Sequence, residues 1–412
     1  MPENQINYIT RDMESLVLEL TNEYSCILIC GPRQVGKTTM LKQIMDPDRH
    51  IVSLDDLNER NIARTDPEMF LSVHPTPMLI DEVQYAPELF SYIKMAIDNG
   101  APAGSFWLTG SQSFRLMELA QESLAGRTAI LHLTSLSQKE IYGSGVNKPF
   151  SVDVKSIAAK NQERQVGDAT EIYRRIFEGS LPGHISGKFT NREIFYSSYL
   201  QTYISRDVKE EIPGIDETMF LDFIRAAACR AGQMLNVHSI ASDVGVSDDT
   251  AKRWLHVLEK SDIIFYLSPY SNNLLKRTIK TKKMYFFDTG LVAYLTKYST
   301  PDILLNGSIN GAILENYVVA EIRKTYLNAG EECYLHYYRD KENKEIDLII
   351  ERDGLLHPLE IKKASTPTLS MISGFDVLKK ASIPTGMGGI ICLKEKFTAL
   401  DKDTLVIPVW TI

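Results

Sequence analysis

Residues 31–39 read GPRQVGKTT, and their types and spacing are those of a polyphosphate cradle. Gly31, Gly36, Lys37 and Thr38 fill the fixed places of G-x-x-x-x-G-K-[ST]. The glycines allow a tight curl in which successive backbone N–H groups point inward at an anion. Lys37 would bring a full positive charge to the β- and γ-phosphates, and the Thr38 hydroxyl would ligate Mg²⁺. A helix starting near Lys37 would aim the positive end of its dipole at the same anion. The candidate ATP-binding segment is therefore Gly31, Pro32, Arg33, Gln34, Val35, Gly36, Lys37, Thr38 and Thr39. Phosphate chemistry gives no reason for Arg33 or Gln34.

The expected partner of such a loop is an acidic pair at the end of a buried strand. Residues 77–82, PMLIDE, supply it. Asp81 would hold Mg²⁺ through water, and Glu82 would orient or deprotonate the attacking water. Residues 105–110 (SFWLTG) end another apolar run in polar positions, of which Thr109 and Ser111 are candidates for contact with the nucleotide. Arg127, just before residues 129–133 (AILHL), could stabilise the transferred phosphate within the subunit or from a neighbour, or could be a surface ion pair. Near the C-terminus a different set appears. Glu315 lies at helical spacing from Val319 and Ile322, Asp347 alternates with Ile346 and Leu348, and Glu360 and Lys362 project from one face of a strand. If they converge, Glu315, Asp347 and Glu360 would hold a second divalent cation, Mg²⁺ or Mn²⁺, with Glu360 and Lys362 also in catalytic roles.

The elements that must position these residues follow from the pattern around them. Residues 25–30 (SCILIC) are a strand buried on both faces, and the segment from Thr38 to Ile44 is a helix. Residues 50–54, 77–82, 105–110 and 129–133 add further short apolar runs. Strands alternating with helices predict a parallel three-layer α/β core over residues 1–145. Residues 143–168 are polar, hold few large apolar residues and read as a linker or mobile excursion. Helices at 171–183 and 191–211 make a small helical lid within 146–215, its second helix carrying Arg206 and Asp207. Within 216–300, residues 237–244, a turn at Gly245 and residues 248–260 form a helix-turn-helix, with Ser247 as N-cap. Ala251, Trp254, Leu255 and Leu258 face inward; Lys252, Arg253 and His256 face outward. Two strands follow, and between them lie Lys276, Arg277, Lys280, Lys282 and Lys283. A basic helix face plus a basic wing at 276–283 suits a DNA backbone; Asp248 and Asp249 at the head of the helix oppose it. Residues 301–412 form the last α/β unit.

Taken in order, GPRQVGKTT, LIDEVQ, LTGSQSF and SLAGR resemble a prokaryotic family of predicted AAA-type P-loop ATPases with a C-terminal winged helix and a restriction-endonuclease-like domain. EIDLII (residues 345–350) and LEIK (359–362) are similar to the PD-(D/E)xK nuclease signature. The resemblance implies an α/β multidomain chain that binds ATP and Mg²⁺. It also implies that Thr109 or Ser111 senses the γ-phosphate. Arg33 and Gln34 are typical of the family.

With 412 residues, the chain is too long for one ordinary core. Its net charge of −8 gives no global footprint for nucleic acid, so any DNA contact must be local. Five cysteines without framework spacing suit a reducing, cytoplasmic setting, and no apolar run is long enough for a bilayer. The leading expectation is an ATPase switch on DNA, with cleavage by the last domain and a homo-oligomer both open. The alternative is a signalling or scaffold ATPase whose nuclease fold is inactive and binds protein. A small-molecule kinase ranks last, for want of a substrate-pocket signature.

Overall fold

The computed structural model describes residues 8–111, 116, 120, 122–143, 148–163, 167–271, 281–342 and 344–412. β1 (Cys26–Cys30), β2 (His50–Ser53), β3 (Met78–Asp81), β4 (Phe106–Gly110) and β5 (Thr128–His132) form one sheet in the order β2-β3-β4-β1-β5. All its pairings are parallel. The central strand CILIC is apolar throughout because both its faces are covered. Ile27 and Ile29 enter one core, and Cys26, Leu28 and Cys30 enter the other. The parallel arrangement brings the carboxyl ends of β1, β3 and β4 to a single edge. There the phosphate loop, the acidic pair and the Thr109–Ser111 turn all emerge.

The reading of residues 143–168 as a linker is corrected. Val154–Glu163 is a helix, and Phe150, Val152 and Ile157 are buried in the main core. The Phe150 N–H donates to Thr325 Oγ1 at 2.9 Å, and its carbonyl accepts from the Tyr326 hydroxyl at 2.9 Å. A few apolar residues spaced through a polar stretch dock it. Residues 144–147 and 164–166 lie outside the described set, as does Gln112.

Beyond this segment come the helices Ala169–Glu178, Pro182–Ile185 and Arg192–Tyr203. The last runs directly into a π turn at Ile204–Val208. Val237–Val244 and Asp248–Lys260 are two helices joined through Gly245, whose left-handed φ of 79° closes the first. Ser247 caps the second by accepting from the Thr250 N–H. Ala251, Trp254, Leu255 and Leu258 are buried, with Trp254 edge-on to Phe220 and Phe223. Lys252, Arg253 and His256 are exposed.

β6 (Gln233–Met234), β7 (Ile264–Pro269) and β8 (Lys283–Phe286) form an antiparallel ribbon. Of the basic stretch, Lys276, Arg277 and Lys280 lie outside the described residues and Lys282 is exposed. Lys283 corrects the expectation: it is 3% exposed and faces acidic residues rather than solvent.

β9 (Leu335–Arg339), β10 (Glu345–Arg352), β11 (Leu355–Lys362), β12 (Gly388–Cys392), β13 (Thr398–Ala399) and β14 (Thr404–Pro408) complete the strands. The ribbon and these strands join into one nine-stranded sheet, β13-β14-β12-β11-β10-β9-β7-β8-β6. No break in the sheet therefore marks the boundary read near residue 300. Asn316, on the long helix Asn310–Asn328, ties across it by accepting from the Phe286 N–H at 2.7 Å and donating to the Phe286 carbonyl at 2.8 Å. A bulge between Ile346 and Ile349 also overrides simple alternation. Ile346 and Ile349 share one apolar cluster, while Leu348 and Ile350 enter the main core.

Residues 301–412 expressed alone would lose these ties and expose the β9 edge and the buried helix. The fragment should lack cooperative thermal unfolding and bind a hydrophobic dye, whereas the full chain unfolds cooperatively. A sharp unfolding transition in the fragment would show that this part has a core of its own.

Candidate functional site

The loop after β1 is shaped by its backbone. Gly31 has φ 148°, and a Cβ there would lie 1.9 Å from the Leu133 carbonyl oxygen, so no side chain fits. Gly36 has φ 91° and caps the helix Lys37–Ile44. Gln34, at φ 62°, also takes the left-handed conformation, and its side chain is exposed with Thr39. Lys37 is buried and donates to the carbonyls of Gly31 and Pro32, each at 2.9 Å, so the loop curls around the ammonium. Burial lowers that ammonium from the usual lysine range, with the carboxylate of Glu82 opposing. Arg11 braces the loop from behind. Its guanidinium donates to the carbonyls of Val35 and Thr134 at 2.8 Å each and to Glu140 at 2.9 Å. Sequence reading missed Arg11, whose partners are remote in the chain.

The acidic pair meets the loop. Thr38 Oγ1 donates to Asp81 Oδ1 at 2.6 Å, and the Thr109 hydroxyl donates to the same oxygen. Glu82 follows in the left-handed region, φ 58°, with its N–H donating to Thr109 Oγ1 at 3.4 Å. Its carboxylate accepts from the Gln84 amide and from Ser111 Oγ at 3.4 Å, and Gln84 also donates to Ser111 at 3.3 Å. Thr38, Asp81, Glu82, Thr109 and Ser111 are thus brought together. Gln84 had no assigned role, although it stands inside LIDEVQ.

Arg33, which phosphate chemistry left unexplained, reaches the helical layer. Its Nε donates to both carboxylate oxygens of Asp207, at 2.7 and 2.8 Å. Burial works against its charge, but Asp207, Tyr85 and Glu82 outweigh it and hold the guanidinium protonated. Burial likewise pushes Asp207 up, with Arg33 opposing. Arg206 is exposed, so the helix presents its acidic neighbour to the loop. Arg127 corrects the reading of a role within the same subunit. It precedes β5 at the end of the sheet remote from the loop, and pairs with Asp98 at 2.6 Å.

A cleft of about 910 Å³ opens beside the loop. Tyr8 and Ile9 of the N-terminal segment, Gly36 and Thr39 of the loop, and Pro182 and Tyr199 of the helical layer contribute to its walls. Its size suits a nucleotide.

The C-terminal set also converges, but on ammonium groups. Lys283 Nζ lies 2.9 Å from Glu315 and 2.6 Å from Glu345, and the Tyr285 hydroxyl donates to Glu315 at 2.7 Å. Lys362 Nζ lies 2.9 Å from Asp347 and 2.6 Å from Glu360. Burial pushes Glu315 up to about 7; burial and the charge of Asp347 push Glu360 up to about 9. Burial would raise Asp347 too, but Lys362 and Lys283 hold it below its usual value. Among the described residues no group of three such side chains could hold a metal ion. The second cation expected on Glu315, Asp347 and Glu360 finds no support among the described residues: the ammonium groups of Lys283 and Lys362 face these carboxyls where the cation was expected. Lys283 is the member sequence reading misplaced, since it comes from the ribbon rather than the last unit.

Three family models match the chain. Residues 23–142 match an AAA domain, residues 169–302 a domain of unknown function (DUF8612) and residues 310–412 a domain of unknown function (DUF4143). The uncharacterized protein Rv2008c of Mycobacterium tuberculosis is 26% identical over 87% of this chain and 75% of its own length. The uncharacterized protein MJ1637 of Methanocaldococcus jannaschii is 24% identical over 77% and 71%. Among solved structures, the Walker-type ATPase PABY2304 of Pyrococcus abyssi overlaps 71% of this chain and 97% of its own at 14% identity, TM-score 0.45. The Aeropyrum pernix ORC2 protein in its ADP form overlaps 64% and 89% at 12% identity, TM-score 0.31. Among the described residues no helix is long and apolar enough to cross a membrane. The residues that match an AAA domain, 23–142, are those built on the parallel sheet whose edge carries the loop of residues 31–39.

Proposed function

We propose that this protein binds ATP with Mg²⁺ and hydrolyses it slowly, as a nucleotide-driven switch. The observation that carries the reading is the 2.6 Å contact between Thr38 and Asp81, beside a loop wrapped around the Lys37 ammonium. The backbone of residues 31–36 and Lys37 would bind the phosphates, and Thr38 and Asp81 would hold Mg²⁺. Mg²⁺, when bound, supplies positive charge to the phosphate oxygens. The base and ribose would take the cleft beside the loop. Glu82, with its carboxylate steadied by Gln84 and Ser111, would accept a proton from the attacking water. Thr109 bridges the two acidic residues through its hydroxyl and would fix their relative placement.

Because the helical layer forms one wall of the cleft, occupancy by ATP would bias its position, and with it the helix-turn-helix and the last unit. The exposed Lys252, Arg253, His256 and Lys282 support a DNA backbone as the surface this switch acts on. The lysine-filled carboxylate cluster supports a last unit that keeps a nuclease-like arrangement for contacts and does not cleave.

Lys37→Ala should weaken ATP binding at least tenfold in calorimetry; unchanged affinity would remove the assignment. Glu82→Gln should retain ATP but turn it over about 100-fold more slowly. Normal turnover in that variant would move the proton acceptor elsewhere. Duplex DNA should raise the ATPase rate at low salt and lose its effect as salt increases. A rate indifferent to DNA at low salt would leave a protein partner as the target.

A further inference from the structure

Arg33 occupies the phosphate loop without a task in phosphate binding, yet it is tethered with care. Its Nε donates to both oxygens of Asp207, and the two side chains are only 13% and 11% exposed. Asp207 sits within the π turn Ile204–Val208, a local break in helical geometry of the kind found at functional sites. That turn directs Asp207, rather than the exposed Arg206, at the loop. Arg33 also has Tyr85 as a hydrogen-bond partner and feels the charges of Glu82 and Lys37. The guanidinium therefore ties the loop after β1 to the helical layer, and it feels the charge of the residue assigned to water activation. With Asp207 on Nε, the terminal nitrogens of the fork are the donors that can bridge phosphoryl oxygens.

We propose that Arg33 is the catalytic arginine of ATP hydrolysis, acting within its own subunit on the γ-phosphate, and that Asp207 is its positioning residue. This rests on the ATPase reading above. In the step, the water oxygen bonds to the γ-phosphorus as the bond from that phosphorus to the β–γ bridging oxygen breaks. The water proton passes to Glu82, and the electron pair of the broken bond stays on the β-phosphate of ADP. Arg33 donates N–H bonds to the phosphoryl oxygens as charge shifts toward the leaving group. The consequence is a coupling. Arg33 is in place only when the helix carrying Asp207 is docked on the loop, so turnover reports the position of the helical layer.

The test is steady-state ATPase kinetics of the full chain with Mg²⁺, together with equilibrium binding of a fluorescent ATP analogue. Arg33→Ala should lower kcat about 1000-fold while leaving ATP affinity within a few-fold. Arg33→Lys, which keeps the charge but loses the fork, should recover only part of that loss. Asp207→Asn should lower kcat by about tenfold or more without changing ATP affinity, and Asp207→Glu should recover part of it. Thermal unfolding of each variant checks that the fold is kept; the near-isosteric Asp207→Asn decides the matter if Arg33→Ala does not fold. An unchanged kcat in folded Arg33→Ala, or a loss confined to ATP affinity in both positions, would overturn the proposal and make the pair a structural tie. Absence of turnover in the unaltered chain, equal to Lys37→Ala, would instead defeat the underlying ATPase reading.

Discussion

The contact between Thr38 and Asp81 is the constraint on which the site depends, and it is not local. Thr38 follows β1, Asp81 ends β3, and β4 lies between those strands. A hydroxyl and a carboxylate meet at 2.6 Å only if three parallel strands end in register. That register is set by burial on both faces of CILIC, MLID and FWLTG, where a slip would move apolar side chains between two separate cores. The apolar runs thus act at a distance: they place a hydroxyl–carboxylate pair at the mouth of a loop. Thr109 then uses the intervening strand to join the same carboxylate.

A second layer of constraint links this edge to everything after it. Ser180 lies at the centre. Its N–H and hydroxyl donate to Asp288 at 2.7 and 2.9 Å, its hydroxyl also contacts Ser135, and Lys324 donates to it at 3.1 Å. Lys324 also donates to the Leu136 carbonyl and to Glu321, and Glu321 accepts from the Gln138 N–H. The segment after β5, the helical layer, Asp288 just beyond β8 and the long helix Asn310–Asn328 therefore share one buried polar network. Such a network is costly to break piecemeal, because each member left unpaired in a low-dielectric interior bears its full desolvation cost.

What could be read in advance divides along the same line. The strand CILIC, the loop GPRQVGKTT, the LIDE turn and the Ser247-capped helix were legible because each carries its own short-range signature: continuous burial, fixed glycines, or a cap. Asp81 and Glu82 were legible through their position after a buried strand. The tie of Arg33 to Asp207 was not, since it joins residues 174 apart and depends on a π turn that no pattern announces. Alternation misplaced Leu348 because the bulge in β10 shifts the period midway through the strand. Residues 143–168 were read as a linker because composition averages over a window. The docking there depends on individual residues, Phe150, Val152 and Ile157.

Lys283 shows how a complete motif can still mislead. Glu315, Asp347, Glu360 and Lys362 are the right residue types, and they do meet. But β8 brings a second ammonium into the group from outside the unit that supplies the motif, because the ribbon and the last unit are one sheet. An ammonium at hydrogen-bond distance neutralises a carboxylate in the same place a divalent ion would, but it supplies one charge and no open coordination position for water. The acids respond accordingly. Burial raises Glu315 and Glu360 above the usual carboxyl range, while Lys362 and Lys283 hold Asp347 below it. Two lysines shared among Glu315, Glu345, Asp347 and Glu360 tie the strands to the helix. The continuity of the sheet, more than the identity of the four motif residues, determines what that cluster does.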